Sequence, residues 1–466
     1  MGSQDPVTEM PLGVAAFGNL RAEDEPWLAE CFVPPEDFGL MSEMRSIAVF
    51  GASGSGKSAV REMLIRQNCA PSGGQRCLVA DWQLVLAAFE SPDAFRSVPG
   101  QVACVFDACG MAILEHIARV PVVWTRASEW ARRMFTWFIH RFVQGDLETR
   151  CGPLLTQYPE AGAEAIRDFL GTDWDPGLMP AHNWPLVAAE LSKALNQQGV
   201  DGIWVVVDGL EPWMQAQFDL VVSALGAFFS TLPLFEKASI AYKTFLPAAA
   251  EPALAASTGV GRHRVQRYRL EWRGDQLIEI VERRLACAAG GRALRMTDLC
   301  AAPGFLEWVK RNGGSNPRAW LELVRPVVVH YFAQQPAHPI PEETWKELRR
   351  QSPPRLFVDR ENARVIVGGR EVPVKEMTRG GYRLLCYLYR NAGRLVPWPE
   401  LYYRGYRGLS AVPLSKEDKG YEYPEDWEPV LQTRMSDLRK AIEPDPQEPV
   451  YLETVKGEGV VLKLSW

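Results

Sequence analysis

The sequence predicts an α/β fold: a parallel sheet with a helical insertion and further helices after it, followed by a separate α+β module at the carboxyl end. Three observations predict it. A short β-prone run, Arg45-Ser46-Ile47-Ala48-Val49-Phe50, leads straight into a glycine-rich turn and then a helical pattern. A second apolar run, Gly202-Ile203-Trp204-Val205-Val206-Val207, ends in Asp208, as a strand covered on both faces would. Beyond residue 354 the rhythm changes to short strands, helices and a Gly-tipped terminal hairpin.

At 466 residues the chain is long enough for roughly three domains. Hydrophobic residues make up 47% and charged residues 23%, which excludes disorder as the main state and a fibrous repeat. Lys and Arg total 51 against 57 Asp and Glu, a net charge of −6, so the chain does not coat nucleic acid by bulk charge. The nine cysteines are scattered without a Cys-x-x-Cys pair, and the six histidines show no metal spacing with them. Reduced thiols of a cytoplasmic protein are expected, rather than a disulfide framework or a zinc site. The leading Met1-Gly2-Ser3-Gln4-Asp5-Pro6 has no basic stretch followed by an apolar one and reads as an expression remnant. Residues 220–235 are the longest apolar-rich stretch, but Ser223, Ser230, Thr231 and Pro233 break it. A core helix is expected there, and no membrane contact.

The glycine-rich turn carries the strongest chemical signal. Gly51-Ala52-Ser53-Gly54-Ser55-Gly56-Lys57-Ser58 matches G-x-x-x-x-G-K-[ST], with a strand before it and the helical Ala59-Val60-Arg61-Glu62-Met63-Leu64-Ile65 after it. Glycines at 51, 54 and 56 let backbone N–H groups curl around phosphate oxygens, where the helix N-terminus adds partial positive charge. The predicted nucleotide contacts are Gly51, Ser53, Gly54, Ser55, Gly56, Lys57, Ser58 and Ala59. Lys57 would reach the β- and γ-phosphates, and the Ser58 hydroxyl would ligate Mg²⁺. ATP and Mg²⁺ are therefore the expected ligands. GTP is disfavoured, because no guanine-reading Asn-Lys-x-Asp follows Asp208; Ser415-Lys416-Glu417-Asp418 approximates it but reads as a distant loop.

Such a loop needs an acidic partner at the end of a neighbouring buried strand. Asp208 is the candidate for Mg²⁺, and Glu211, three residues on, is placed to polarise an attacking water. The separation of about 150 residues from Lys57 requires an insertion, read as mainly helical over about 106–195 and assigned no chemistry. Residues 238–242 read as the next strand, with Lys243 and Thr244 at its carboxyl end as a γ-phosphate sensor or a solvated strand end. A helix over 274–285 follows, and Gly313-Gly314-Ser315-Asn316-Pro317-Arg318 introduces another over 319–329.

The phosphate loop, the Val-rich strand to Asp208, Leu270-x-Trp272 and Asn316-Pro317-Arg318 together resemble AAA+ and STAND-type P-loop ATPases. The resemblance implies a P-loop NTPase core at 46–258, a helical lid at 259–333, and Arg318 as a nucleotide sensor at the Pro-Arg turn. Residues 1–45 form an N-terminal segment, in which Gly18 to Glu25 with Cys31-Phe32-Val33 resemble the start of bacterial defence-associated P-loop ATPases. Arg262 and Arg264 are candidates for an arginine finger that the sequence does not place.

Residues 334–354 are proline-rich around one charged helix and read as a linker. Strands follow at 355–359, 364–367 and 370–374, the last two joined by a Gly368-Gly369 turn. Thr378 can N-cap a helix to Arg390, Pro399 to Tyr403 form a short second helix, and a long third covers about 427–443. With Leu384-Leu385, Gly393-Arg394-Leu395-Val396, Leu438-Arg439-Lys440 and Thr454-Val455-Lys456-Gly457-x-Gly459, residues 355–466 resemble a winged helix of the OmpR/PhoB type. The resemblance implies a third helix whose outward face presents Gln432, Thr433, Arg434, Ser436 and Asp437 to the major groove, Gln432 and Arg434 being suited to base edges. Arg439 and Lys440 would meet the backbone, and Lys456 would serve at the wing. Departures are Asp437 at a commonly basic position, Gly381 for a usual Glu, and an inserted loop over 404–426. Residues 355–466 hold 18 basic and 17 acidic side chains, +1, which leaves −7 for residues 1–354.

The resulting expectation is an ATP-controlled switch, self-associating with ATP and hydrolysing it, whose tail binds double-stranded DNA as a regulator or loading factor. A second reading is a defence or signalling scaffold whose winged helix grips a partner protein. The described motifs include no nuclease, protease or deaminase constellation, so any effector is expected on another chain.

Overall fold

Five short runs, four of them rich in Val, Ile, Phe and Ala, pair into one parallel sheet: β1 Ile47–Gly51, β2 Cys77–Asp81, β3 Gly202–Val207, β4 Ile240–Pro247 and β5 Gln266–Arg269. Their order across the sheet is β2-β3-β4-β1-β5, and every neighbouring pair is parallel. The predicted α/β class is therefore observed. The computed structural model describes residues 15–18, 21–69, 77–82, 95–257, 264–334, 337–360, 363–375 and 377–464. Two compact units arise, Pro34–Glu271 and a second formed by Met1–Val33 with Trp272–Trp466.

In the first unit β1 and β3 are buried along their whole length, as central strands covered on both faces should be. The insertion is helical, with Val98–Arg119, Glu129–Phe142, Leu147–Gln157, Glu160–Leu170 and Trp184–Asn196. Ser97, Ser128, Asp146 and Asn183 cap four of these by accepting a backbone N–H three residues on. Its aromatic stripe is core: Phe135, Trp137 and Phe138 are fully buried with Phe106 and Phe169. Two helices, Val98–Arg119 and Phe218–Ala238, are long and apolar enough to cross a membrane, and both are mostly buried in this unit.

Three strand assignments differ from the sequence reading. Strand β2 was not foreseen. Nor was β5, whose Gln-Arg-Tyr-Arg sequence has only Tyr268 buried, so an edge strand left no apolar run to read. Strand β4 continues to Pro247, which puts Lys243 and Thr244 in mid-strand rather than at a sensor position. The Lys243 ammonium donates to the carbonyls of Met41, Glu43 and Arg45 at 2.7, 2.6 and 2.9 Å and lies 4.7 Å from the Trp204 ring centre. Thr244 donates to the Ile47 carbonyl at 2.9 Å. A charged side chain was mistaken for the end of a strand because three carbonyls make its burial tolerable.

In the second unit the helices Gly274–Ala288, Phe305–Gly313 and Pro317–Ala333 share an apolar core built on Trp320, Val324, Val328, Leu285 and Val309. The N-terminal segment packs into this core through Ala16, Phe17 and Val33. The buried Arg284 fastens it, donating to the Ala16 carbonyl at 3.0 Å and to Glu25 at 2.6 Å. Residues 337–352 are docked rather than free: Ile340 exchanges backbone bonds with Leu299 and Ala301, and Trp345 of the Glu342–Gln351 helix is buried in the same core.

The carboxyl-terminal part has its own core. It consists of an antiparallel sheet of β6 Leu356–Asp359, β7 Arg364–Val367 and β8 Arg370–Val372, then the helix Arg379–Arg390, β9 Val396–Pro397 and the helix Pro424–Ile442. Strands β10 Leu452–Val455 and β11 Gly459–Leu462 close it as an antiparallel hairpin, with β9 against β11. Thr378 caps the first helix by accepting from Gly381 N–H at 3.2 Å. The short second helix is Trp398–Glu400 continued by a π-helical Leu401–Tyr406, so the irregular insertion is confined to 407–423.

Candidate functional site

Strands β1 to β5 all run parallel, so β1 and β3 end on the same edge of their sheet, and the candidate nucleotide residues are brought together there. Gly54 and Gly56 take φ of 79° and 92°, a left-handed backbone that glycine adopts freely. Gly51 is required for a different reason: a Cβ at that position would run into Ser55 Oγ. The turn ends in the helix Lys57–Cys69, whose N-terminus therefore opens at the loop.

Lys57 is buried, and its ammonium donates to the Gly51 and Ala52 carbonyls, each at 3.0 Å. It also pairs with Glu211 Oε1 at 2.7 Å. Ser58 Oγ donates to Asp208 Oδ2 at 3.0 Å, and Asp208 Oδ1 accepts from Gly209 N–H at 2.8 Å. Burial pushes the Asp208 carboxyl above its ordinary value, and Glu211 adds to the rise. The Gly209 N–H, the Ser58 hydroxyl and the Arg61 charge oppose it. Thus Lys57, Ser58, Asp208 and Glu211, far apart in sequence, share one site.

Two neighbours were not singled out from sequence. Arg61, one turn beyond Ser58, pairs with Glu62 at 2.9 Å and with Asp81 at 3.5 Å. The i, i+3 spacing from Ser58 was the available signal for Arg61; Asp81 ends β2, the strand the sequence did not reveal.

Of the remaining predicted residues, each sits within its own unit. Arg318 is exposed on the first turn of the Pro317–Ala333 helix, which Asn316 caps by accepting from Ala319 N–H at 3.3 Å. Arg264 is ion-paired with Glu236 at 2.5 Å, and Arg262 lies outside the described residues.

On the Pro424–Ile442 helix, Trp427, Leu431, Met435, Leu438 and Ile442 face the core, while Gln432, Thr433, Ser436 and Lys440 are exposed. Lys456 is exposed between β10 and β11, beside Gly457 at φ 80°. Two of the predicted cations are engaged within the module instead. Arg434 is half-buried and meets Asp437 at 3.5 Å, and Arg439 donates to the Thr454 hydroxyl. The first turns of the same helix expose Glu425, Asp426 and Glu428.

No family model matches the chain, and no curated protein matches it. Among solved structures, the crystal structure of Cdc6p from Pyrobaculum aerophilum is similar at 13% identity and a TM-score of 0.36, covering 96% of this chain and 93% of that one.

Proposed function

We propose that this chain is an ATP-binding, ATP-hydrolysing switch of the AAA+ or STAND kind whose carboxyl-terminal winged helix binds double-stranded DNA. The observation that carries the nucleotide reading is the meeting of Ser58 Oγ with Asp208 Oδ2 at 3.0 Å, beside the buried Lys57 ammonium. Donor chemistry fits the expected ligands. Lys57 and the N–H groups of the Gly54 and Gly56 turns suit phosphate oxygens, and a hydroxyl with a carboxylate suits Mg²⁺. The raised pKa of Asp208 fits as well, since a cation beside a desolvated carboxylate offsets the cost of its charge. When bound, Mg²⁺ would neutralise charge on the β- and γ-phosphates. The chain's own residues would orient phosphate through Lys57, hold the cation through Ser58 and Asp208, and polarise water through Glu211.

Arg318 as a nucleotide sensor is carried by the Asn316-Pro317-Arg318 resemblance alone. The DNA reading rests on the exposed Gln432, Thr433, Ser436, Lys440 and Lys456. One observation favours the second reading, a partner protein on the winged helix: Glu425, Asp426 and Glu428 lie where such a helix would first approach phosphates. The switch reading is tested by titrating ATP and Mg²⁺ into wild type and Lys57→Ala. Wild type is expected to bind and the variant to lose detectable binding; equal affinities would end the nucleotide assignment.

A further inference from the structure

We propose that Glu211 is a lock on the phosphate loop: in the ligand-free protein its carboxylate holds the Lys57 ammonium, and phosphate must displace it. The inference rests on reading residues 51–58 as a nucleotide site. An ammonium has three N–H donors. At Lys57 all three have acceptors: Gly51 O and Ala52 O, each at 3.0 Å, and Glu211 Oε1 at 2.7 Å. The Lys57 side chain is only 4% exposed, so water does not substitute for any of them.

The acceptors are not equally removable. Both carbonyls belong to the loop, and the Gly51 carbonyl is further tied by accepting Ala248 N–H at 3.1 Å. Glu211 is 29% exposed and is the first residue of the short helix Glu211–Ala216. It follows Gly209, where φ is 76° and the chain leaves β3 in a backbone form open to glycine. A phosphate oxygen on Lys57 would bring a second anion against the carboxylate in a partly dry site, where like charges repel strongly. Phosphate and Glu211 therefore compete for one ammonium. Occupancy of the site moves Glu211, and with it the helix Glu211–Ala216. Glu211 becomes available to polarise water only after phosphate has taken its place, so the ligand-free protein keeps its base occupied. In this role it is a positioning residue, acting through Lys57.

Glu211→Gln tests the lock, because it keeps the shape and removes the charge. Calorimetric titration at fixed ionic strength is expected to show ATP and inorganic tripolyphosphate each binding about tenfold tighter to the variant, since a charge-assisted bond becomes a neutral one. Hydrogen exchange adds a readout that mere structural support would not move. In wild type, ATP is expected to speed exchange of the amides of Glu211 and residues 213–216; in Glu211→Gln those amides are expected to exchange fast before ATP is added. Glu211→Asp, a shorter anion, is expected to fall between the two in affinity. Equal or weaker binding by Glu211→Gln, or amides of Glu211 and residues 213–216 indifferent to ATP in wild type, overturns the lock while leaving the nucleotide site standing. A wild type that binds neither ligand, or a Lys57→Ala variant that binds as well, overturns the nucleotide reading and the lock with it.

Discussion

At Asp208 the proposed Mg²⁺ role is set against stability. Its carboxyl is desolvated and its pKa is raised above the ordinary 3.8. For an acid with a raised folded-state pKa, the stabilising contribution is complete below the unfolded value and is lost as pH rises through the folded one. At neutral pH the ionised carboxylate therefore costs the ligand-free protein stability, a cost that site residues commonly impose. Asp208→Asn removes the charge. Its unfolding temperature without ligand is expected to equal or exceed that of wild type at pH 7, with the gap closing as pH falls toward 4. Nucleotide hydrolysis should drop by two orders of magnitude or more, roughly the loss of about 3 kcal/mol of transition-state stabilisation. A variant that is less stable than wild type at pH 7 and still turns over would contradict both halves. The position of Asp208 just past a buried strand was legible because the Val-rich run ends on it. Lys243 was misread because nothing local in the sequence announces the three carbonyls, at Met41, Glu43 and Arg45, that receive its ammonium.

At the scale of elements, the clearest finding is a junction between two glycine pairs. Gly313-Gly314 closes the helix Phe305–Gly313, and Gly368-Gly369 turns β7 into β8. The turns meet backbone to backbone, with Gly369 N–H donating to the Asn312 carbonyl at 2.9 Å. A Cβ on Gly369 would fall on the Gly313 carbonyl, and one on Gly368 would crowd Asn312 O at 2.5 Å. Across the same junction, Arg349 of the Glu342–Gln351 helix pairs with Asp445 at 3.4 Å. The helical bundle and the carboxyl-terminal module are thereby joined without a free linker. Gly369→Ala must displace backbone and is expected to destabilise by about 1–3 kcal/mol in denaturant titration. Gly393→Ala has open space around it and should cost about 1 kcal/mol, through its φ of 78° alone. Equal effects at the two sites would mean that the junction is not tight. Gly368-Gly369 reads as a hairpin turn and is one, whereas Gly313-Gly314, read as introducing the helix after it, also ends the helix before it. Their meeting could not be read, because close approach of two backbones across 55 residues leaves no periodicity.

For the whole molecule, charge decides how any nucleic acid would be held. Residues 355–466 carry +1 and residues 1–354 carry −7, so net charge opposes a phosphate backbone less in the tail than in the rest of the chain. Within that tail the structure divides the predicted cations into two kinds. Lys440 and Lys456 are exposed, whereas Arg434 and Arg439 are already engaged with Asp437 and Thr454. If all four contact phosphates, the logarithm of the DNA affinity should fall with the logarithm of salt at a slope of about −3.6. That amounts to a loss of roughly a hundredfold between 50 and 200 mM salt. If the two arginines stay with their internal partners, the slope should be about half as steep. Lys440→Ala with Lys456→Ala separates these cases: it should remove nearly all binding in the second and only half of the slope in the first. Fluorescence anisotropy on a random duplex library across salt concentrations measures both quantities. Binding to no duplex at 50 mM, or binding indifferent to salt and to both lysines, would instead favour a partner protein on this surface. The exposed Glu425, Asp426 and Glu428 would then be contacts rather than obstacles, and a basic partner surface would be the chemistry to seek.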